Sequence, residues 1–103
     1  MFIIQENSIF TIRTYHANDL TFFGIIIRMY YAPKEHNPPH IHVYYQEYTA
    51  VVNIEDGMMT LGHLPTKQYK LVAAWIEIHR DDLMANWNLC QNGEKPFNIN
   101  PLN

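Results

Sequence analysis

Hydrophobic and polar positions alternate with a period of two through the middle of the chain and then change to a helical period, a switch that separates a sheet from a helix. In the run from Leu20 to Tyr31, Ile25, Ile27 and Met29 fall on one face and Ile26, Arg28 and Tyr30 on the other. Apolar residues on both faces predict a central strand, with Arg28 as its only charge. A second alternating stretch sets Ile41, Val43 and Tyr45 against His40, His42, Tyr44 and Gln46, which predicts a half-buried strand whose histidines share the polar face. Tyr48 to Ile54 and Met58 to Leu61 carry the pattern on, joined by the hairpin signal Asp56-Gly57 and stopped by Gly62. Gln46-Glu47 lacks the glycine or asparagine of a primed turn, so a longer or type I connection is expected there. Nearer the start, Phe2, Ile3, Ile4, Ile9, Phe10, Thr11, Ile12 and Tyr15 predict one or two short strands broken near Glu6-Asn7-Ser8, and His16-Ala17-Asn18-Asp19 reads as a turn.

From Pro65 or Thr66 to Gln91 the period lengthens, and Asn92-Gly93 supplies a left-handed C-cap. Projected at about 100° per residue, Val72, Trp75, Ile76, Leu83, Trp87 and Cys90 share one arc with His79 in its middle. Lys70, Glu77, Asp81 and Ala85 lie opposite. Trp75 and Trp87 are expected as core anchors. The tail carries Pro96, Phe97, Ile99, Pro101 and Leu102, too apolar for a plain disordered end, and should lie extended along the domain or along a partner.

These elements predict an α+β fold, an antiparallel β-meander of four to six strands with one long C-terminal helix packed on one face. A length of 103 residues, 48% hydrophobic, suits a single domain. Its parts are an N-terminal extension with a strand (1–19), the meander (20–62), the helix (66–91) and an extended tail (94–103).

Charge narrows the function classes. The net charge is -3 with histidines neutral, and the seven Lys and Arg residues are scattered, which weighs against non-specific nucleic-acid binding through phosphate neutralisation. RNA stays open, because protonated histidines add local positive charge. The apolar runs are too short for a membrane span and no leader pattern precedes the first strand, so cytoplasmic residence is expected. Cys90 is the single cysteine and cannot close an internal disulfide.

The chemistry concentrates in His36-Asn37-Pro38-Pro39-His40-Ile41-His42-Val43, which holds three of the six histidines. Its prolines fix φ and remove two donors, and each pushes the residue before it toward an extended conformation, so a stiff lead into His40 is expected. On a strand His40 and His42 point the same way, roughly 6.5 to 7 Å apart. Two imidazoles at that spacing can converge on a metal ion, bind one anion, or share acid and base work; equally, they can line a solvated sheet face. A stiff loop would hold His36 about 12 Å from His40 unless it bends back. His79 needs a hydrogen-bond partner or a cavity, since an unpaired buried polar group costs about 1 to 3 kcal/mol. It is either a satisfied core histidine or the group that approaches His40 or His42 and completes a site. Arg28 should reach a carboxylate or solvent, or serve an anion beside the histidine face.

The segments Gly24-Ile25-Ile26-Ile27-Arg28-Met29-Tyr30, His36 to Val43, Ala50-Val51-Val52-Asn53-Ile54, and Trp75 to Leu83 with Trp87 together resemble the bacterial domain of unknown function family 4160. The resemblance spans about residues 20 to 102, and its most specific part is the His-Asn-Pro-Pro-His-x-His-Val block. The first 19 residues extend beyond the family's usual short start, and Gln46 stands where members often carry glycine. The family implies little chemistry. Its genes often stand alone beside another small family, an arrangement similar to toxin-antitoxin modules, which implies a small partner protein encoded by a neighbouring gene.

Three functions follow as expectations. One is a partner-binding protein of toxin-antitoxin type, with RNA cleavage as its candidate activity, in which His40, His42 and His79 act as acid and base, Arg28 stabilises developing phosphate charge, and no cofactor is needed. A second uses His40, His42 and His36 to hold zinc or a similar divalent metal. The third is a non-catalytic interaction module in which the His-Pro-Pro block is structural. Homo-oligomerisation is compatible with each.

Overall fold

The structure, a computed structural model, describes residues 16–32 and 37–102. The strands expected over residues 1 to 15, and His36, lie outside the described residues. Five strands follow one another as β1 (His16–Phe22), β2 (Ile25–Tyr30), β3 (His40–Tyr45), β4 (Tyr48–Asn53) and β5 (Met59–Gly62), and α1 (Thr66–Gln91) comes after them. Each strand pairs antiparallel with its sequence neighbours, in the spatial order β1-β2-β3-β4-β5. This is the expected meander with a C-terminal helix.

Alternation decides which face is the core. Ile25, Ile27 and Met29 of β2, Ile41 and Val43 of β3, and Ala50 and Val52 of β4 are buried, together with Val72, Trp75, Ile76, Leu83, Trp87 and Cys90 of α1. The whole expected helical arc is therefore inside except His79, which is half-buried. No helix among the described residues is long and apolar enough to cross a membrane.

Local expectations fail at the turns. The Leu20 to Tyr31 run is a hairpin, because Phe23 and Gly24 take φ values of +50° and +76° and reverse the chain. The segment expected as a turn, His16 to Asp19, is consequently part of β1. Phenylalanine is a rare occupant of a left-handed position, so composition pointed away from the turn and only Gly24 hinted at it. At the next reversal Gln46-Glu47 is a two-residue connection between the paired Tyr45 and Tyr48, with Gln46 at φ +52°. That sign at the first turn position suits the right-handed twist of a hairpin, and it replaces the longer or type I turn.

The helix ends as its sequence suggests. Gly93 at φ +74° lets its own N–H reach the Cys90 carbonyl at 3.1 Å and the Glu94 N–H reach the Leu89 carbonyl at 2.8 Å, the two bonds of a Schellman cap. Inside the helix His79 departs from helical geometry (φ -113°, ψ 20°) and marks a kink. Just past the break, Arg80 Nε donates to the Ile54 carbonyl at 3.0 Å and ties the helix to the end of β4.

The tail lies along the helix. Asn86, a buried polar residue of the core, donates from Nδ2 to the Phe97 carbonyl at 2.8 Å and accepts from the Phe97 N–H at 3.0 Å. The Trp75 indole N–H donates to the Asn100 carbonyl at 2.8 Å. These partners satisfy two buried polar side chains that would otherwise be costly.

Gly62 and Gly57 should respond differently to alanine. At Gly62 (φ +75°) a Cβ would overlap the Thr49 carbonyl oxygen and come within 2.9 Å of Ala50 Cα, whereas at Gly57 (φ +72°) it meets nothing within 4 Å. Urea unfolding should show Gly62→Ala losing about 3 kcal/mol and Gly57→Ala about 1 kcal/mol, with unchanged m-values.

Candidate functional site

Because Ile41 and Val43 turn toward the helix, His40, His42 and Tyr44 project from the opposite face of the sheet. Register then builds a transverse row across all five described strands. Asp19 lies opposite Arg28, Arg28 opposite His42, His42 opposite Val51, and Val51 opposite Leu61.

The rings around His42 touch. His40 and His42 sit edge to face with centroids 5.2 Å apart, and the Tyr30 ring meets His42 at 4.6 Å. The Tyr30 and Tyr44 hydroxyls share a hydrogen bond of 2.8 Å. At the first position of β3, His40 also packs at 5.0 Å against Trp87 of the helix, so it stands where the outer face meets the core. Its Nδ1 lies 2.7 Å from the Pro38 carbonyl oxygen. Asn37-Pro38 is a cis peptide, with a bend in place of the expected extended lead.

Charge on this face is held in pairs. Arg28 donates from Nε and Nη2 to the two carboxylate oxygens of Asp19 at 2.7 and 2.8 Å, the bidentate geometry that planar guanidinium favours. Asp19 hydrogen bonding holds Arg28 protonated far above its ordinary range, with burial opposing. The guanidinium also stands 5.1 Å over the Tyr44 ring, a cation–π distance. Burial first, and then the bond to Tyr30, push the Tyr44 phenol up to about 12. Cys90 is enclosed in the core, where burial pushes its thiol up to about 11, so it is no candidate nucleophile.

Of the residues singled out from sequence, His40, His42 and Arg28 come together. His79 stands apart: its ring packs at 5.5 Å on Trp75, one turn earlier on the helix. It precedes Trp87, the helix residue that His40 touches, by about 12 Å of axial rise. Of the three proposed metal ligands, His40 and His42 form a pair and His36 lies outside the described residues. No group of three His, Cys, Asp or Glu converges among the described residues, while a zinc site needs at least three protein ligands.

Sequence reasoning missed Asp19, Tyr30 and Tyr44 as members of this cluster. Alternation alone put Tyr30 beside Arg28 and Tyr44 beside His42 on their own strands. What it could not supply was the register that sets those strands side by side, or the hairpin that brings Asp19 back to Arg28.

The phenol pair yields a titration test. Since the folded state favours the neutral Tyr44, its stabilising contribution is complete below the ordinary value of 10.0 and is lost as pH rises toward about 12. Tyr30→Phe removes one of the raising causes, and carbon-13 NMR of the Tyr44 ring should show its midpoint falling back toward that of a free tyrosine.

A family model for a domain of unknown function (DUF4160) matches residues 24–88. No curated protein and no solved structure matches the chain. The matched stretch begins at the turn glycine before β2, takes in the histidine strand and its neighbours, and ends one residue after Trp87. Covering well over half of the 103 residues, it makes the chain a member of the DUF4160 family.

Proposed function

We propose that the protein is a partner-binding protein of toxin-antitoxin type whose working surface is the outer face of the sheet, and that its chemistry is metal-independent cleavage of RNA by His40 and His42. The observation that carries this reading is the pairing of the two imidazoles at 5.2 Å with His40 Nδ1 bonded to the Pro38 carbonyl. A carbonyl only accepts, so Nδ1 bears the proton and Nε2 of a neutral His40 is the nitrogen with the lone pair. Such a nitrogen suits a general base.

In the proposed step His40 takes the proton of a ribose 2′-hydroxyl, and the 2′ oxygen attacks phosphorus. The bond from phosphorus to the 5′ oxygen breaks, and protonated His42 gives its proton to that oxygen. The products are a 2′,3′-cyclic phosphate and a 5′-hydroxyl. Arg28, across the strand pair from His42, also hydrogen-bonds Tyr30 and Tyr44, and an N–H of its five that is left over from these bonds and from Asp19 can donate to a phosphate oxygen as charge develops. The partner half of the proposal is supported by the paired-gene arrangement that the family resemblance implies.

The test is expression of the chain alone and with its neighbouring gene product, scoring growth and RNA ends. Wild type alone should arrest growth and leave cyclic-phosphate ends. His40→Ala and His42→Ala should slow cleavage about 10²- to 10⁴-fold, while His79→Ala keeps most of it. Normal growth and intact RNA with wild type alone would sink the ribonuclease reading. If the His40 or His42 variants then also failed to bind the partner, the face would belong to an interaction module.

A further inference from the structure

The transverse row continues past the histidines, and its far end forms a slot. Val51 lies beside His42 and Leu61 beside Val51, so His42 and Leu61 stand two strand spacings apart, about 9.5 Å between backbones. The side chain between them is shorter than either neighbour. One step along the sheet Tyr44 faces Thr49, again a long side chain beside a short one, and Gly62 adds no side chain at all. A concavity of about 210 Å³ lies here, lined among the described residues by His42, Tyr44, Thr49, Ala50, Val51, Leu61 and Gly62.

Its dimensions favour one flat ring. The volume falls below the roughly 300 to 1,000 Å³ of pockets that enclose a whole ligand. A planar ring in van der Waals contact with both walls needs about 7 to 8 Å between them, which two strand spacings provide. Leu61 is 66% exposed and takes no part in the core, so its side chain is available as an apolar wall.

We infer that the slot holds the nucleobase adjoining the scissile phosphate, stacked between Leu61 and the wall made by His42 and Tyr44, with the Thr49 hydroxyl open to the base edge. The inference rests on the ribonuclease reading. His42 is both a wall of the slot and the acid, so a base seated there brings its own phosphate to the imidazole pair. A nucleobase combines π faces with a polar rim, and single-stranded RNA is held largely by such stacking. Stacking also suits a chain of net charge -3, which is poorly equipped to bind RNA by phosphate neutralisation.

Two measurements on the full chain test it. Adenosine and uridine, added separately to leucine-methyl-labelled protein, should move the Leu61 methyl resonances upfield through ring currents. Leu61→Trp, which fills the slot from an exposed position, should raise KM for homopolymer RNA about 10-fold or more and lower kcat as well, because the base no longer positions its phosphate, with an unaltered urea midpoint. Leu61 methyls that stay in place under excess nucleoside, or an unchanged KM in Leu61→Trp, overturn the slot while cleavage that depends on His40 and His42 leaves the ribonuclease reading standing. Nucleoside shifts in a protein that leaves RNA intact retain the slot as a base-binding site and remove the acid-base reading.

Discussion

The structure depends on the burial of Ile41 and Val43 against the helix. Both are fully enclosed, and each such side chain contributes about 1.5 to 3 kcal/mol when withdrawn from water. On a strand their burial forces the intervening residues outward. Slipping β3 by one position would bring His40 and His42 into the core and expel the two aliphatic residues. Site and core are thus two sides of one constraint.

Having put polar groups on the outer face, the fold keeps them in contact with one another. Asp19 grips Arg28 through both carboxylate oxygens, Arg28 lies over Tyr44, Tyr44 shares a hydrogen bond with Tyr30, and the Tyr30 ring abuts His42. The Asp19–Arg28 pair is partly solvated, so its net worth is about 1 kcal/mol or less. Its larger effect is geometric. Two donors on one carboxylate set the plane of the guanidinium, whose carbon stands over the Tyr44 ring.

Helix and tail fix the other boundary of the site. Trp87 packs beneath His40, while Asn86 and Trp75 hold the chain after the helix through its backbone groups. His79 falls at the helix kink, with its ring on Trp75. Its place in the middle of the apolar arc is accounted for by packing within the helix, and the chemistry of the outer face is left to residues on the strands.

Period alone determined a good deal. The alternation in β3 placed both histidines on one face, the 3.6-residue repeat marked six buried helix residues from Val72 to Cys90, and Asn92-Gly93 located the cap, because each depends on neighbours a few residues apart. The apolar tail was likewise legible as packed chain. Turns were less so: Phe23 and Gln46 adopt left-handed backbone that their side chains do not advertise, and both reversals were misread. The site itself was decided in three dimensions. Strand register set Arg28 beside His42 and Leu61 beyond Val51, the hairpin returned Asp19 to Arg28, and the bend at Asn37-Pro38 turned a carbonyl onto His40 Nδ1. His79 went elsewhere for the same reason, since a helical projection says which residues share a face but not which strand that face will meet.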